Sequence, residues 1–145
     1  MTEKVKIPSW YWVITIILLL WNITGLASFI MSAMATKADL MDSGYTEAQS
    51  DLMLSLPFWT KYMYLIATST GLIAAIGLVA KKRFALPFFI ISLIFAAIHH
   101  LYIYATTEAL SVMPSMDKGM SILVISICIL QILFSRSAKD KGWLN

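Results

Sequence analysis

The two histidines of the sequence, His99 and His100, are adjacent and lie inside a long apolar segment. Imidazole is a common metal or haem ligand and exchanges protons near neutral pH. Neighbouring side chains of a helix point about 100° apart, so the two rings do not share one metal by themselves, and haem ligation would need a histidine of another subunit. His100 shares a helical face with Tyr104 and, if the helix continued, with Glu108, which predicts a polar site at the end of the segment. The alternative is that one imidazole is hydrogen-bonded among helices and the other lies near the segment end.

A second group of polar side chains interrupts the apolar segments at Asn22 and at Thr68, Ser69 and Thr70. Polar residues inside a membrane span are costly and frequently functional, so Asn22, Thr68 and Ser69 join the histidines as candidate ligand-binding residues. The alternative for Asn22 is a hydrogen bond across two helices that sets their register.

Charged side chains are missing from the middle of the apolar segments. An ion-coupled transporter normally needs an ionisable group or a broken helix near the membrane midplane, and this sequence has neither in clear form. It also lacks the spacing of a Ser-His-Asp triad, a phosphate-binding loop or a zinc-protease helix. Its single cysteine, Cys128, excludes an intramolecular disulfide and a cysteine-based metal motif. We therefore predict no catalytic residue, no metal site and no cofactor, and a non-enzymatic role is favoured.

The composition indicates an integral membrane protein. Hydrophobic residues make up 59% of the 145 residues and charged residues 13%, whereas a soluble domain carries about 25% charge. A soluble protein of this size has too much surface to hide so many apolar side chains, so the excess must face lipid. The small net charge of +3, without a basic face on a soluble module, argues against nucleic-acid binding.

Four apolar stretches are long enough, or nearly so, to cross the roughly 30 Å hydrocarbon core of a bilayer as helices. They predict an all-α, integral membrane four-helix bundle that forms one domain over 1–145. We expect the spans at about 10–34, 57–80, 84–104 and 117–135.

Basic residues that flank the spans predict the orientation. Most of the eleven lie on one side of the membrane, at Lys4, Lys6, Lys81, Lys82, Arg83, Arg136, Lys139 and Lys141. Basic segments stay in the cytoplasm, so both termini are predicted to be cytoplasmic, and the loops at about 36–56 and 105–118 to lie outside an inner membrane. A rival hypothesis is a signal peptide cleaved at Ala33-Met34-Ala35. Its apolar run exceeds the usual length of about 7–15 residues, and cleavage would leave three spans in the same orientation.

Aromatic residues stand at the ends of the spans. Trp10, Tyr11 and Trp12 open the first span, and Trp143 follows the fourth. Trp and Tyr favour the headgroup layer, where the ring and its polar group are both satisfied. We therefore expect these side chains at the membrane surface.

The first outer loop contains the pattern of a helix start. The Thr46 hydroxyl is placed to accept from the Gln49 amide, and the Gln49 side chain to reach back, as in a capping box. Leu52, Met53 and Leu56 would give the helix an apolar face. The pattern predicts a short amphipathic helix that lies along the membrane surface or caps the bundle.

Small residues at helical spacing predict the faces through which the spans pack. In lipid, helices associate by close packing and hydrogen bonding, and small side chains allow close approach. The predicted packing positions are Thr24, Gly25 and Ser28 in the first span and Ala67, Gly71 and Ala75 in the second.

Several short motifs, spread over nearly the whole chain, are typical of one group of proteins. They are Trp10-Tyr11-Trp12, Leu20-Trp21-Asn22-Ile23-Thr24-Gly25, Pro57-Phe58-Trp59, Gly71, Gly77 and Lys82-Arg83-Phe84-Ala85-Leu86-Pro87. In these the sequence resembles small bacterial four-span inner-membrane proteins, mostly described as uncharacterised. Some of them carry an automatically assigned sugar-transporter label. The resemblance implies four spans and gives no catalytic residue.

Three functional hypotheses follow. The first is a structural, binding or accessory membrane protein that acts in the lipid bilayer as a homo-oligomer or beside a partner membrane protein. The second is a small-solute transporter or channel subunit, for which a sugar is one candidate, lined by Asn22, Thr68–Thr70 and one of the two histidines. The third is a redox or quinone-handling protein that uses His99 or His100. A cavity lined by these polar residues would favour the second hypothesis, and a closed apolar core the first.

Overall fold

The computed structural model describes residues 5–145, and these residues form seven helices and no strand. Each of four long helices is long and apolar enough to cross a membrane. They are α1 (Ser9–Met34), α4 (Phe58–Val79), α5 (Ala85–Thr106) and α7 (Ser115–Asp140). The all-α fold and the four long apolar helices agree with the predicted membrane bundle. Lys4, one of the residues behind the predicted orientation, lies outside the described residues.

The long helices pack in chain order. α1 packs on α4, α4 on α5, and α5 on α7, whereas α1 and α7 do not pack along their lengths within the described part of the chain. Much of the outer surface is apolar, as at Ile16 and Ile17 of α1 and Ile122 and Leu130 of α7. Such a surface is stable in lipid, because hydrocarbon tails replace the protein core as its apolar surroundings.

The small residues of α4 lie at its contacts with neighbouring helices. Ala67, Gly71, Ala74 and Ala75 are all buried. Because a small side chain brings two backbones close together, α4 can lie between α1 and α5 and contact both. The row in α1 differs, since Thr24 and Ser28 remain exposed.

One end of the bundle, here called the basic end, consists of the start of α1, the turn at 80–84 and residues 141–145. The chain after α7 folds back, so that Asn145 N–H donates to the Lys81 carbonyl at 2.6 Å and Arg83 N–H donates to the Asn145 carbonyl at 3.0 Å. Trp143 is thereby buried against Tyr11, at 5.6 Å between ring centroids.

Two of the side chains predicted to lie at the membrane surface, Tyr11 and Trp143, are buried within the protein. Tyr11 is fully buried, and its hydroxyl donates to the Leu78 carbonyl at 2.7 Å. A buried tyrosine needs a partner for its hydroxyl, and the end of α4 supplies one. Trp10 and Trp12 keep exposed rings.

The opposite end, here called the loop end, carries three short helices: α2 (Lys37–Asp42), α3 (Glu47–Ser55) and α6 (Ala109–Val112). The predicted capping box of Thr46 and Gln49 is present. A second box at Thr36 and Asp39, which the sequence analysis did not use, starts α2. Lys37 Nζ contacts both Glu47 and Asp51 at 2.8 Å and thereby joins α2 to α3.

Candidate functional site

A cavity of about 280 Å³ lies between the four long helices, in the half of the bundle nearer the loop end. Its walls are formed by Trp21, Asn22, Thr24, Gly25 and Ser28 of α1, Tyr64, Ala67 and Thr68 of α4, Ser92, Ala96, His99 and His100 of α5, and Met120, Val124 and Cys128 of α7. The fold thus brings together polar residues that are far apart in the sequence. Among them are Asn22, Thr68, His99 and His100 of the predicted set.

Gly71 does not itself line the cavity but packs against two residues that do, Asn22 and Ser92. A Cβ at this position would collide with Oδ1 of Asn22 and lie 3.1 Å from Oγ of Ser92, so α1 and α5 both reach α4 here. Asn22 is buried, and its amide nitrogen donates to the Leu18 carbonyl at 2.7 Å within α1. The structure therefore gives Asn22 a helix contact through its oxygen atom and an intrahelical bond through its nitrogen atom.

The two imidazoles are held in the same way by different elements. His99 Nδ1 lies 3.0 Å from the Thr60 carbonyl of α4, and His100 Nδ1 lies 2.8 Å from the Ala96 carbonyl of its own helix. A carbonyl oxygen only accepts, so each Nδ1 carries the hydrogen. In the neutral ring Nε2 is then an acceptor, and neither Nε2 has a hydrogen-bond partner among residues 5–145.

Aromatic rings line the side of the cavity near the histidines. The Tyr64 ring lies 5.1 Å from the His99 ring and 5.3 Å from the Phe29 ring. His99 and His100 meet nearly edge to face, with centroids 5.3 Å apart. These contacts fix the ring planes and so hold the orientation of the two Nε2 atoms.

Part of the remaining hydrogen-bonding capacity of the cavity consists of acceptors. Four polar side chains of the wall already donate to backbone carbonyls: Asn22 to Leu18, Thr24 to Leu20, Thr68 to Tyr64 and Ser92 to Ala67. The hydroxyls of Ser28 and Tyr64 and the ring N–H of Trp21 make no such bond among residues 5–145, so the wall keeps donors as well. A hydroxyl that has donated its hydrogen keeps its oxygen lone pairs. Together with the imidazole Nε2 atoms, these oxygens favour a ligand that brings its own O–H or N–H groups.

The cavity wall contains no Asp, Glu, Lys or Arg side chain among the described residues. A charged ligand would lose its hydration here without gaining an ionic partner, which is strongly unfavourable. Within residues 5–145, no three His, Cys, Asp or Glu side chains lie close enough together to hold a metal ion. The arrangement therefore suits a small, uncharged ligand.

Three residues of the predicted polar set lie outside this cavity. Ser69 is not part of its wall. Tyr104 lines a separate, more open groove of about 600 Å³ between α5 and α7, which it shares with His100. α5 ends at Thr106, so Glu108 does not continue the face of His100 and Tyr104, and it precedes α6 instead. The predicted site of His100, Tyr104 and Glu108 required the helix to continue to Glu108, and it does not.

Tyr104 has a different partner from the one expected. Its hydroxyl lies 3.0 Å from Oγ of Ser121, and Ser121 donates its own hydrogen to the Asp117 carbonyl at 3.0 Å. Tyr104 must therefore be the donor to Ser121, because each hydroxyl carries one hydrogen. This bond joins the end of α5 to the start of α7.

The residues assigned to helix packing divide between two roles. Ala67, Thr24, Gly25 and Ser28 line the cavity, whereas Gly71 and Ala75 do not. A Cβ on Gly25 would meet Thr68 Cγ2 at 3.8 Å, an ordinary contact distance, so this glycine borders open space rather than a tight helix contact.

Several wall residues were not chosen as site residues from the sequence. Ser92 and Cys128 are buried beside the cavity, and Tyr64 and Trp21 supply its aromatic surface. Ser92 is a polar residue at membrane depth and could have been selected by that criterion. The aromatic residues carry no local signal that separates a cavity wall from a lipid-facing surface.

Comparison of the chain with protein-family models, curated proteins and solved structures gives no match.

Proposed function

We propose that this protein is a multi-pass membrane protein that binds a small uncharged molecule in the cavity between α1, α4, α5 and α7. The observation that carries the proposal is the convergence of Asn22, Thr68, His99 and His100, from three helices, on one space of about 280 Å³. A ligand pocket is commonly a largely apolar cleft with a few placed polar groups, and this volume is near the lower end of the usual range.

The ligand class follows from the free groups of the wall. The imidazole Nε2 atoms and the hydroxyl oxygens accept hydrogen bonds, and the wall offers no ionic partner among the described residues. We therefore propose a neutral ligand that carries O–H or N–H donors on a small, partly apolar body. Buried acceptors would discriminate against an analogue without such donors, because they would be left unpaired.

Solute binding is favoured over the accessory and redox hypotheses by particular features. An accessory bundle needs no cavity at the place where its polar residues meet. A redox role through two axial histidines needs facing rings, whereas His99 and His100 are adjacent on one helix and meet nearly edge to face. The orientation with both termini in the cytoplasm of an inner membrane remains part of this proposal, on the charge pattern. Action as a homo-oligomer or beside a partner membrane protein is kept in the proposal as well.

The test uses a pair of ligands and a pair of variants. Resorcinol has two hydroxyl donors, and 1,3-dimethoxybenzene has the same ring without them. Binding of each to the protein in lipid nanodiscs is measured by saturation-transfer NMR, with empty nanodiscs as the background. We expect resorcinol to bind with at least about tenfold higher affinity, since unpaired buried acceptors oppose the dimethoxy compound.

Gly25 provides the matched variants. Gly25→Leu places a bulky side chain in the cavity, whereas Gly25→Ala adds a Cβ at an ordinary distance from Thr68. Resorcinol binding should be lost in Gly25→Leu and kept in Gly25→Ala. A cooperative thermal unfolding transition in each variant checks that both are folded. Equal binding of resorcinol to both variants would mean that the cavity is not the site.

A further inference from the structure

Three buried polar side chains lie between the cavity and the basic end. Oγ1 of Thr15, Nε2 of Gln131 and Oγ of Ser135 have no hydrogen-bond partner among residues 5–145, and none of the three residues is more than 1% exposed. Thr24, Thr68 and Ser126 behave differently, since each donates to the carbonyl one turn earlier. Buried polar groups in proteins are nearly always paired, and each unpaired group costs about 1–3 kcal/mol, so three in one region need an explanation.

The helical register connects these three residues with the cavity. Thr15 precedes Asn22 by two helical turns and therefore lies on the same face of α1. In α7, Gln131 follows Val124 and Ser135 follows Cys128 by the same spacing. The cavity-lining faces of α1 and α7 thus continue toward the basic end with polar side chains.

Tyr11 closes this continuation near the basic end. It lies one turn before Thr15 on α1, and its ring stacks on Phe134 of α7 with centroids 5.6 Å apart. Trp10 also contacts Phe134, at 6.3 Å. Here α1 and the chain after α7 are also joined through Trp143, which contacts the rings of Trp10 and Tyr11. Since α1 and α7 do not pack along their lengths in the described part of the chain, their separation breaks these side-chain contacts but leaves the packing of α1 on α4 and of α5 on α7.

We infer that the protein transports its ligand, and that Thr15, Gln131 and Ser135 form the second half of the pathway, closed in this structure by Tyr11. In the alternate state α1 and α7 separate at the basic end, the three polar groups become solvated, and the ligand leaves the cavity there. The inference rests on the proposed binding function. Transport of an uncharged solute by this route needs no ionisable side chain, because the ligand moves down its own gradient.

The test measures access to the closed half without any ligand. In a Cys128→Ala background, Ser135→Cys and Thr15→Cys are near-isosteric reporters on the two helices. Ala85→Cys is the matched control, because Ala85 is fully buried and, as the first residue of α5, lies closer to the basic end than Ser135. A membrane-impermeant methanethiosulfonate reagent is applied to vesicles of each orientation.

We expect both reporters to react at least about tenfold faster than Ala85→Cys when the reagent is at the basic-end face, since labelling of a buried thiol follows the population of the open state. Tyr11→Ala, which removes the ring that stacks on Phe134 between α1 and α7, should raise the labelling rate of Ser135→Cys further. Fraying of the bundle end would instead label Ala85→Cys at least as fast.

Equal rates at all three positions, no reaction at any of them, or reaction from the loop-end face alone would overturn the inference. Resorcinol binding that is lost in Gly25→Leu would still stand in those cases. The labelling experiment therefore tests the transport pathway independently of the resorcinol measurement, which tests the binding function.

Discussion

Gly71 is the position at which α4 meets side chains of both α1 and α5. Asn22 Oδ1 occupies the space that a Cβ would need, and Ser92 Oγ borders it. Ser92 also donates to the Ala67 carbonyl at 2.7 Å, which ties α5 to α4 one turn away. This contact positions the inner wall of the cavity, so a change in it should affect both stability and ligand binding.

Gly71→Ala should lower the free energy of unfolding by about 1–3 kcal/mol, because the added methyl group forces Asn22 or the backbone to move. Gly119→Ala is the matched control, since a Cβ there meets nothing within 4 Å and alanine is the better helix former. Chemical unfolding in detergent compares the two variants. Equal stabilities would mean that the Gly71 contact is not tight.

Asn22→Ala should remove most of the Gly71→Ala penalty. The two residues are in contact, so their effects should not add, and a double-mutant cycle should give an interaction energy of about 0.5–3 kcal/mol. If the losses of stability in the two single variants add up in the double variant, the methyl group added at Gly71 destabilises the protein by a contact other than the one with Asn22.

The short helices of the loop end are linked to one another and to α7 by side chains. Gln49 Nε2 of α3 donates to the Val112 carbonyl of α6 at 2.9 Å, while the same side chain completes the Thr46 capping box. Tyr45, between α2 and α3, faces Asp117 in the first turn of α7. Burial, together with the Asp117 carboxylate, raises the pKa of Tyr45 to about 12.

This shift predicts a loss of stability in alkali. The folded-state pKa of Tyr45 lies above its ordinary value of 10.0, so its contribution is complete below pH 10 and lost as the pH rises through about 12. Tyr45→Phe cannot ionise. The stability difference between the native protein and Tyr45→Phe should therefore shrink between pH 9 and about 12, as measured by thermal unfolding in nanodiscs. If the difference in stability between the native protein and Tyr45→Phe stays constant across this range, the Tyr45 phenol is not held neutral by burial.

The whole bundle has two chemically different ends. Basic side chains surround the turn at 80–84 and the end of α7, whereas the loop end carries Asp39, Glu47 and Asp117. We propose that the basic end lies in the cytoplasm, as the positive-inside rule predicts. A fluorescent protein fused after Asn145 should therefore fold and fluoresce.

Alkaline phosphatase inserted at 43–45 should be active, and the same insertion at 81–83 should be inactive, since this enzyme needs an oxidising compartment for its disulfides. Activity at 81–83 without activity at 43–45 would reverse the orientation. Activity at both sites would mean that the charge pattern does not set a single topology.

The sequence by itself determined the four long helices and the capping box of Thr46. These are local properties: in lipid a backbone must satisfy its hydrogen bonds within its own segment, so a long apolar run is sufficient to predict a spanning helix. The same reasoning identified Asn22, Thr68, His99 and His100 as unusual, because a polar side chain within a long apolar segment is visible in the sequence and is costly at membrane depth.

The tertiary structure alone decided which faces meet. The rotation of each helix about its axis depends on residues far away in the chain, and so the sequence could not separate Thr24 and Ser28, which border a cavity, from Gly71, which fills a tight contact. Tyr11 is buried because the chain after α7 folds back over it, a contact between the two ends of the chain. Glu108 is not part of the predicted site because α5 ends at Thr106, before this residue. Helix ends depend on packing as well as on local sequence.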